Sequence, residues 1–348
     1  MKSNYKIGEI VEEIEIRNTA NDVEVLLGLS INKCFIKSVA NTIGTDLKKY
    51  KVIFKDDFAV SLMQVSRDDK IPIACLQEYN KAIVSPAYHI FRIKNKNVIC
   101  PEYLEILFRR SEFDREAAYI AVGGVRGSMP WSEFCRINLS IPPIEKQLEI
   151  VHQYKVISDR IALKQEINNI LEEMLTLYFE EKFLNITSKQ ITLLGELMSF
   201  SNGKTRPQNY GDIPVYGGNG ILSYTNQYNA ENVVLIGRVG AYCGSVNIEV
   251  NNCWVSDNAI YAKSKLVNNE YFDYLLLKLM NLYDYHIGTG QQLLTQEILN
   301  KLECPNVSKS DIESFNGKAK PLFNMINLNK KEIEKLDILR NIILAKMR

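Results

Sequence analysis

The side chains best suited to chemistry sit in short polar runs rich in glycine. In the second half of the chain these are Lys204, Thr205 and Arg206 after Gly203, Asn219 in Tyr216-Gly-Gly-Asn-Gly, and Arg238 and Tyr242 in Gly237-Arg-Val-Gly-Ala-Tyr. Asp257 and Asn258 follow Ser256, and Thr289, Gln291 and Gln292 lie in Gly288-Thr-Gly-Gln-Gln. The first half offers Gln64 and Arg67, then Ser85 and Tyr88, then Gly124 and Arg126 in Gly123-Gly-Val-Arg-Gly-Ser. Arginine suits a guanine edge, Asn and Gln an adenine edge, and Lys and Thr a phosphate oxygen. Glycine lets a backbone approach closely and turn its N–H groups toward an anion. Each run alone equally describes a solvated turn. As a set occurring twice they favour a binding surface.

The familiar catalytic patterns are missing. No GxxxxGK[ST] run exists to cradle a nucleotide phosphate, and no GxSxG elbow exists for a nucleophile. Gly217-Gly-Asn-Gly reads as a tight turn. Gly237-Arg-Val-Gly leads into Ser245-Val-Asn-Ile-Glu-Val, a strand and not the helix that a dinucleotide fingerprint needs. Ile141-Pro-Pro-Ile lacks the residues with which an amino-methyltransferase grips a flipped base. The seven cysteines never form a CxxC pair and the three histidines do not cluster with them, which argues for free thiols in a reducing cytosol and against a zinc site. These absences do not exclude an enzyme, but every common route to one is unsupported.

Two long helices must hold these loops in place. After Pro142-Pro143, about forty residues run without Gly or Pro. Ile150, Tyr154, Ile157 and Ile161, then Leu163, Ile167, Ile170, Met174 and Leu177, recur at helical spacing. At 1.5 Å per residue this helix would be about 60 Å long, too long for one small domain. Its narrow apolar seam predicts a coiled coil with a second helix near the C-terminus, where Leu322, Ile326, Ile333, Leu336, Leu339 and Ile343 recur. Pro321 should kink or interrupt the first turns of that second helix.

The segments before each helix repeat one another. Ile7-Gly-Glu-Ile returns as Leu194-Gly-Glu-Leu, Pro101-Glu-Tyr-Leu as Asn269-Glu-Tyr-Phe, and the Gly123 loop as the Gly288 loop. Short β-branched or aromatic runs at Val23 to Leu29, Val52 to Phe54, Phe58 to Val65, Ile71 to Leu76, Ala82 to Ser85 and His89 to Ile93 predict strands, and Pro101 to Arg110 a helix. The expected fold is α+β. Residues 1–143 and 187–305 form two globular mixed domains, followed by helices in 144–186 and 306–348.

Charge decides little: 42 basic and 41 acidic residues give a net +1, so any nucleic-acid face must come from segregation of charge. The first residues lack the apolar core of a signal peptide, and no apolar run is long enough to span a membrane. A cytoplasmic location is expected.

The ordered, doubled arrangement resembles the specificity (S) subunit of type I restriction-modification systems. The resemblance rests on Leu194-Gly-Glu-Leu, Tyr216-Gly-Gly-Asn-Gly, Gly237-Arg-Val-Gly, Gly288-Thr-Gly-Gln-Gln and above all Ile141-Pro-Pro-Ile-Glu-Lys-Gln-Leu, and it extends along essentially the whole chain. It implies two target recognition domains, each reading half of a bipartite, asymmetric sequence in double-stranded DNA. It also implies that the two long helices pack as an antiparallel coiled coil and set the gap between the halves. The implied partners are methyltransferase (M) subunits, usually two, and restriction (R) subunits. By the same resemblance the chain itself would hold no cofactor and would not be an enzyme, and S-adenosylmethionine, ATP and Mg would be bound by those partners. The second helix departs from the pattern, opening Cys304-Pro-Asn-Val without Pro-Pro or Glu-x-Gln. Two other classes compete with this reading: a coiled-coil scaffold whose repeated domains bind protein, and a fused methyltransferase, for which no motif is present.

Overall fold

The computed structural model describes residues 3–38, 46–63, 65–122, 127–185, 190–266, 269–288 and 290–347. It divides into two compact units, 1–163 with 333–348 and 164–332.

The first unit opens with β1 (Ser3–Lys6), a single helical turn α1 (Ile7–Ile10) and β2 (Val11–Ile14). It continues through β3 (Leu26–Leu29), β4 (Phe35–Lys37), β5 (Lys51–Phe54), β6 (Phe58–Val60), α2 (Val65–Asp68), β7 (Ile73–Cys75), β8 (Lys81–Val84) and β9 (His89–Ile93). Helices α3 (Pro101–Phe108), α4 (Ser111–Ala121) and α5 (Trp131–Phe134) precede β10 (Asn138–Ile141) and the long α6 (Ile144–Phe179). The strands form two four-stranded sheets, β2-β9-β6-β7 and β4-β3-β8-β5, and β1 pairs antiparallel with β10. The strand expected over Phe58 to Val65 stops at Val60, and Val65 instead opens α2. Helix α4 was not foreseen, because its apolar residues Phe113, Ala117 and Ala121 are few and small. In the core, Phe58, Phe91, Phe108 and Phe134 are fully buried, and Phe58 and Phe91 stack at 5.2 Å.

The second unit repeats the frame: β11 (Ile191–Leu193), α7 (Leu194–Leu197) and β12 (Met198–Asn202). Then come β13 (Ile213–Gly217), β14 (Gly220–Thr225), β15 (Ala230–Gly237), β16 (Val246–Val255), β17 (Ala259–Ser264), α8 (Glu270–Leu279), α9 (Gln296–Lys301), β18 (Glu303–Pro305) and α10 (Lys309–Lys346). Here one six-stranded sheet, β12-β17-β15-β16-β13-β14, replaces the two smaller ones, while β11 pairs with β18 as β1 does with β10.

The doubled Gly-Glu motif has a packing reason. A methyl carbon built on Gly8 would lie 3.0 Å from Cys135 Cβ, and one on Gly195 would lie 3.0 Å from the Asn300 carbonyl oxygen. Both glycines therefore let the opening turn seat against the last short helix of its unit. Lys94 Nζ donates to the Gly8 carbonyl, and Lys265 Nζ to that of Gly195.

Within the second unit α6 and α10 lie side by side and run antiparallel. Tyr178 stacks on Phe315 at 5.7 Å, Asn329 Nδ2 donates to Asn168 Oδ1 at 2.9 Å, and Lys164 pairs with Glu332 at 2.7 Å. Within the first unit, Ile144, Ile150 and Tyr154 of α6 and Leu344 and Met347 near the chain end join one core. Helix α10 runs unbroken through Pro321. The hydrogen bond lost there is the one the Gly317 carbonyl would accept, and a helix of 38 residues continues on the rest of its ladder. Of the apolar residues read as seam, Ile161 is buried, but Leu163, Ile170, Met174 and Leu177 are about half exposed. Asn168 occupies the buried position between them.

Candidate nucleic-acid interface

The loops of the second unit meet through backbone hydrogen bonds. β15 ends at Gly237 and β16 begins at Val246, and the connection closes on itself: Gly237 N–H donates to Ser245 O at 2.9 Å and Gly244 N–H to Gly237 O at 2.8 Å. Arg238 is fixed on both sides, its N–H donating to Asn258 O (3.1 Å) and its carbonyl accepting from Leu294 N–H (2.8 Å). Gly240 N–H donates to Gln292 O at 3.0 Å. Ser245 Oγ donates to Gly218 O in the β13–β14 turn. Lys204 N–H donates to Val255 O at 2.9 Å, and Ser256 N–H to Tyr216 O at 2.9 Å. Five loops far apart in sequence thus share one end of the sheet.

Glycine is required at these crossings. A side chain on Gly203 would strike the Ser256 carbonyl, and one on Gly237 the Tyr242 carbonyl. A methyl carbon on Gly218 would sit 3.5 Å from Tyr242 Cβ and 3.6 Å from Asn258 O, so the hairpin turn lies against two other loops.

The side chains this brings together are Lys204, Asn219, Arg238, Tyr242, Asn258 and Gln292. Thr205, Arg206, Asp257 and Gln291 are exposed beside them. Arg238 Nε is buried and makes no hydrogen bond among the described residues. The Ser256 hydroxyl is in the same condition, on a residue 2% exposed. Sequence reasoning passed over Ser256, since Val-Ser-Asp-Asn reads as an open turn. It is buried because Gly203 and Tyr216 cross over it. Beneath the loops Tyr216 OH donates to Glu249 (2.9 Å), and burial, with that carboxylate beside it, pushes the phenol up and keeps it a donor.

The first unit is more dispersed. Arg67 is exposed on α2 and pairs with Asp68 at 2.9 Å. It lies near Gly127, where φ is +73° and a side chain would meet Ser66 Oγ. Ser85 and Tyr88 form the turn between β8 and β9: Ser85 O accepts Tyr88 N–H at 3.1 Å, and Tyr88 O accepts Lys51 Nζ at 2.9 Å. Next to them His89 Nδ1 meets Glu13 Oε1 at 2.6 Å, and its ring stacks on Trp131 at 5.2 Å. Gln64, Gly124, Arg126 and Thr289 lie outside the described residues.

Among the described residues no group of three or more His, Cys, Asp or Glu side chains could hold a metal ion, and no helix is long and apolar enough to cross a membrane.

The family model of the type I restriction modification DNA specificity domain matches residues 189–338. The matched residues contain all five converging loops. The fold extends further. The chain is similar over 100% of its length, and 96% of the other's, to the S subunit of a type I restriction-modification system from M. genitalium, with a TM-score of 0.69 at 14% identity. At that identity the likeness is one of fold. Two further structures are weaker matches. One comes from work on complex assembly and conformational transition of the type I R-M system (TM-score 0.47, 18% identity, 99% and 97% covered). The other is the HsdS subunit of Thermoanaerobacter tengcongensis (TM-score 0.38, 16% identity, 99% and 96% covered). No curated protein matches the chain.

Proposed function

We propose that the chain is the DNA-recognition subunit of a type I restriction-modification complex, acting in the cytoplasm and carrying no catalysis of its own. The observation that carries this reading is the convergence of Lys204, Asn219, Arg238, Asn258 and Gln292 on one sheet end inside the DNA specificity domain. Residues 1–143 and 187–305 each read one half of a bipartite target in double-stranded DNA. The halves differ, because one unit builds two four-stranded sheets where the other builds one of six strands. The helices in 144–186 and 306–348 set the gap between halves and receive methyltransferase subunits, with restriction subunits joining them. Apolar side chains left uncovered on the helices support a docking role: Val156, Leu163, Ile170 and Leu177 recur every seven residues along α6, and Met325 and Leu328 are exposed on α10. S-adenosylmethionine, ATP and Mg belong to those partners.

The test is a methylation map of DNA from cells expressing the chain with its methyltransferase partners. The expected result is one bipartite motif with unlike halves and one gap length. A palindromic motif, or no methylation at a defined sequence, overturns the proposal.

A further inference from the structure

The β13–β14 hairpin is apolar where an exposed edge should be polar. β14 is the last strand of the six-stranded sheet, yet Ile221, Leu222 and Tyr224 are each about half exposed. An uncovered apolar edge strand invites aggregation, so its retention needs a use. Leu222 is turned back over the hairpin: a methyl carbon on Gly217 would lie 2.6 Å from its Cδ1. Its neighbour Ile221, paired with Tyr216 beside the bulge at Leu222, is 49% exposed and lies one residue beyond the tight Gly218-Asn219 turn, just after Gly220. That turn touches Tyr242 and Asn258, so the apolar tip is continuous with the polar loop cluster. Tyr242 is itself 51% exposed, and the exposed cations Lys204 and Arg206 belong to the same cluster. Cationic and amide groups around a small apolar tip complement a phosphate-walled groove more closely than they do an apolar protein face.

We propose that Ile221 is a specificity-determining residue that enters a DNA groove as an apolar wedge and selects a readily unstacked pyrimidine–purine step. This rests on the DNA-recognition reading and adds a mode of reading to it. Aliphatic side chains pressed between base pairs partly unstack them, and TA and CA/TG steps yield most easily. Ile221 would therefore discriminate through the deformability of the duplex, while Arg238 and Asn258 supply hydrogen bonds to base edges.

The test is selection of bound duplexes from a library with a randomised core, using the purified full chain and its I221S and I221L variants, each checked by thermal melting. The wild type should enrich a pyrimidine–purine step at one position by about fivefold or more, within the usual effect of one wrong base pair. I221S should keep the flanking base preferences and lose the step preference, and I221L should retain it. An unchanged step preference in I221S overturns the proposal, as does an equal loss at every position. If I221S changes only self-association of the chain, β14 is a protein interface and the proposal falls. A wild type that enriches no sequence overturns both this inference and the reading beneath it.

Discussion

Gln147 Oε1 accepts the backbone N–H of Cys100 at 3.0 Å, joining the first turn of α6 to the start of α3. Its Nε2 donates to the carbonyls of Val98 and Pro142, both at 2.8 Å, and the residue is fully buried. This is the Gln of Pro142-Pro-Ile-Glu-Lys-Gln. In the second unit Asn316 does the equivalent work from further along its helix, accepting from Phe272 N–H at 3.1 Å. That explains how α10 dispenses with the motif. Replacing Gln147 by Leu strands two buried backbone groups and one half-buried one and should cost about 2–4 kcal/mol in chemical denaturation.

The two Gly-Glu turns should respond unequally to alanine. At Gly195 the added carbon would lie 2.7 Å from Asn300 Oδ1, 3.0 Å from Asn300 O and 3.3 Å from Asn300 Cα. At Gly8 the nearest atoms are Cys135 Cβ at 3.0 Å and Cys135 O at 3.4 Å. G195A should destabilise by about 1–3 kcal/mol, and G8A by less, as read by unfolding midpoints.

The long helices and the repeated frame were legible because periodicity and the Gly-Glu motif are local properties of the chain. The glycine-rich loops were legible as candidates for the same reason. Their convergence was not, because it depends on the parallel pairing of Val215 with Trp254, which sets Tyr216 beside Ser256. The polar layer of the helix pair was equally hidden, since Asn168 and Asn329 interrupt an apolar pattern that predicts a dry seam. Seen singly, each Asn reads as a surface residue.

Asn168 and Asn329 should behave as a coupled pair. Both are buried, and Lys164 Nζ also donates to Asn329 Oδ1 at 3.0 Å. N168L alone leaves the Asn329 amide without its acceptor and should cost about 1–3 kcal/mol. The N168L/N329L double variant removes both polar groups and should recover most of that loss. A double-mutant cycle by urea denaturation measures the coupling; additive losses would contradict it.

Asp273 should make the second unit sensitive to pH. It is 3% exposed, and burial pushes its carboxyl from the ordinary 3.8 up to about 7, against a hydrogen bond from Ser264. Between those values the folded chain holds a proton that the unfolded chain has released. The contribution to stability is therefore full below about pH 4, is lost as pH rises to about 7, and is flat above, with a ceiling of about 4 kcal/mol. D273N cannot titrate. Its melting temperature relative to wild type should climb between pH 4 and 7 and then level off.

Arg238 and Lys204 should separate reading from holding. The Arg238 backbone is pinned by Asn258 and Leu294, and its buried Nε has no hydrogen-bond partner among the described residues and is free to take one from a ligand. R238A should cost about 1–3 kcal/mol of discrimination at a single base pair and leave other positions unchanged. Lys204 is exposed, and its backbone is tied to Val255. K204A should weaken binding equally for all sequences and reduce the slope of log affinity against log salt by about 1. Binding isotherms over a salt series, on the selected duplex and on single-base variants of it, measure both effects. A uniform loss in R238A would move that side chain from the base edge to the phosphate backbone.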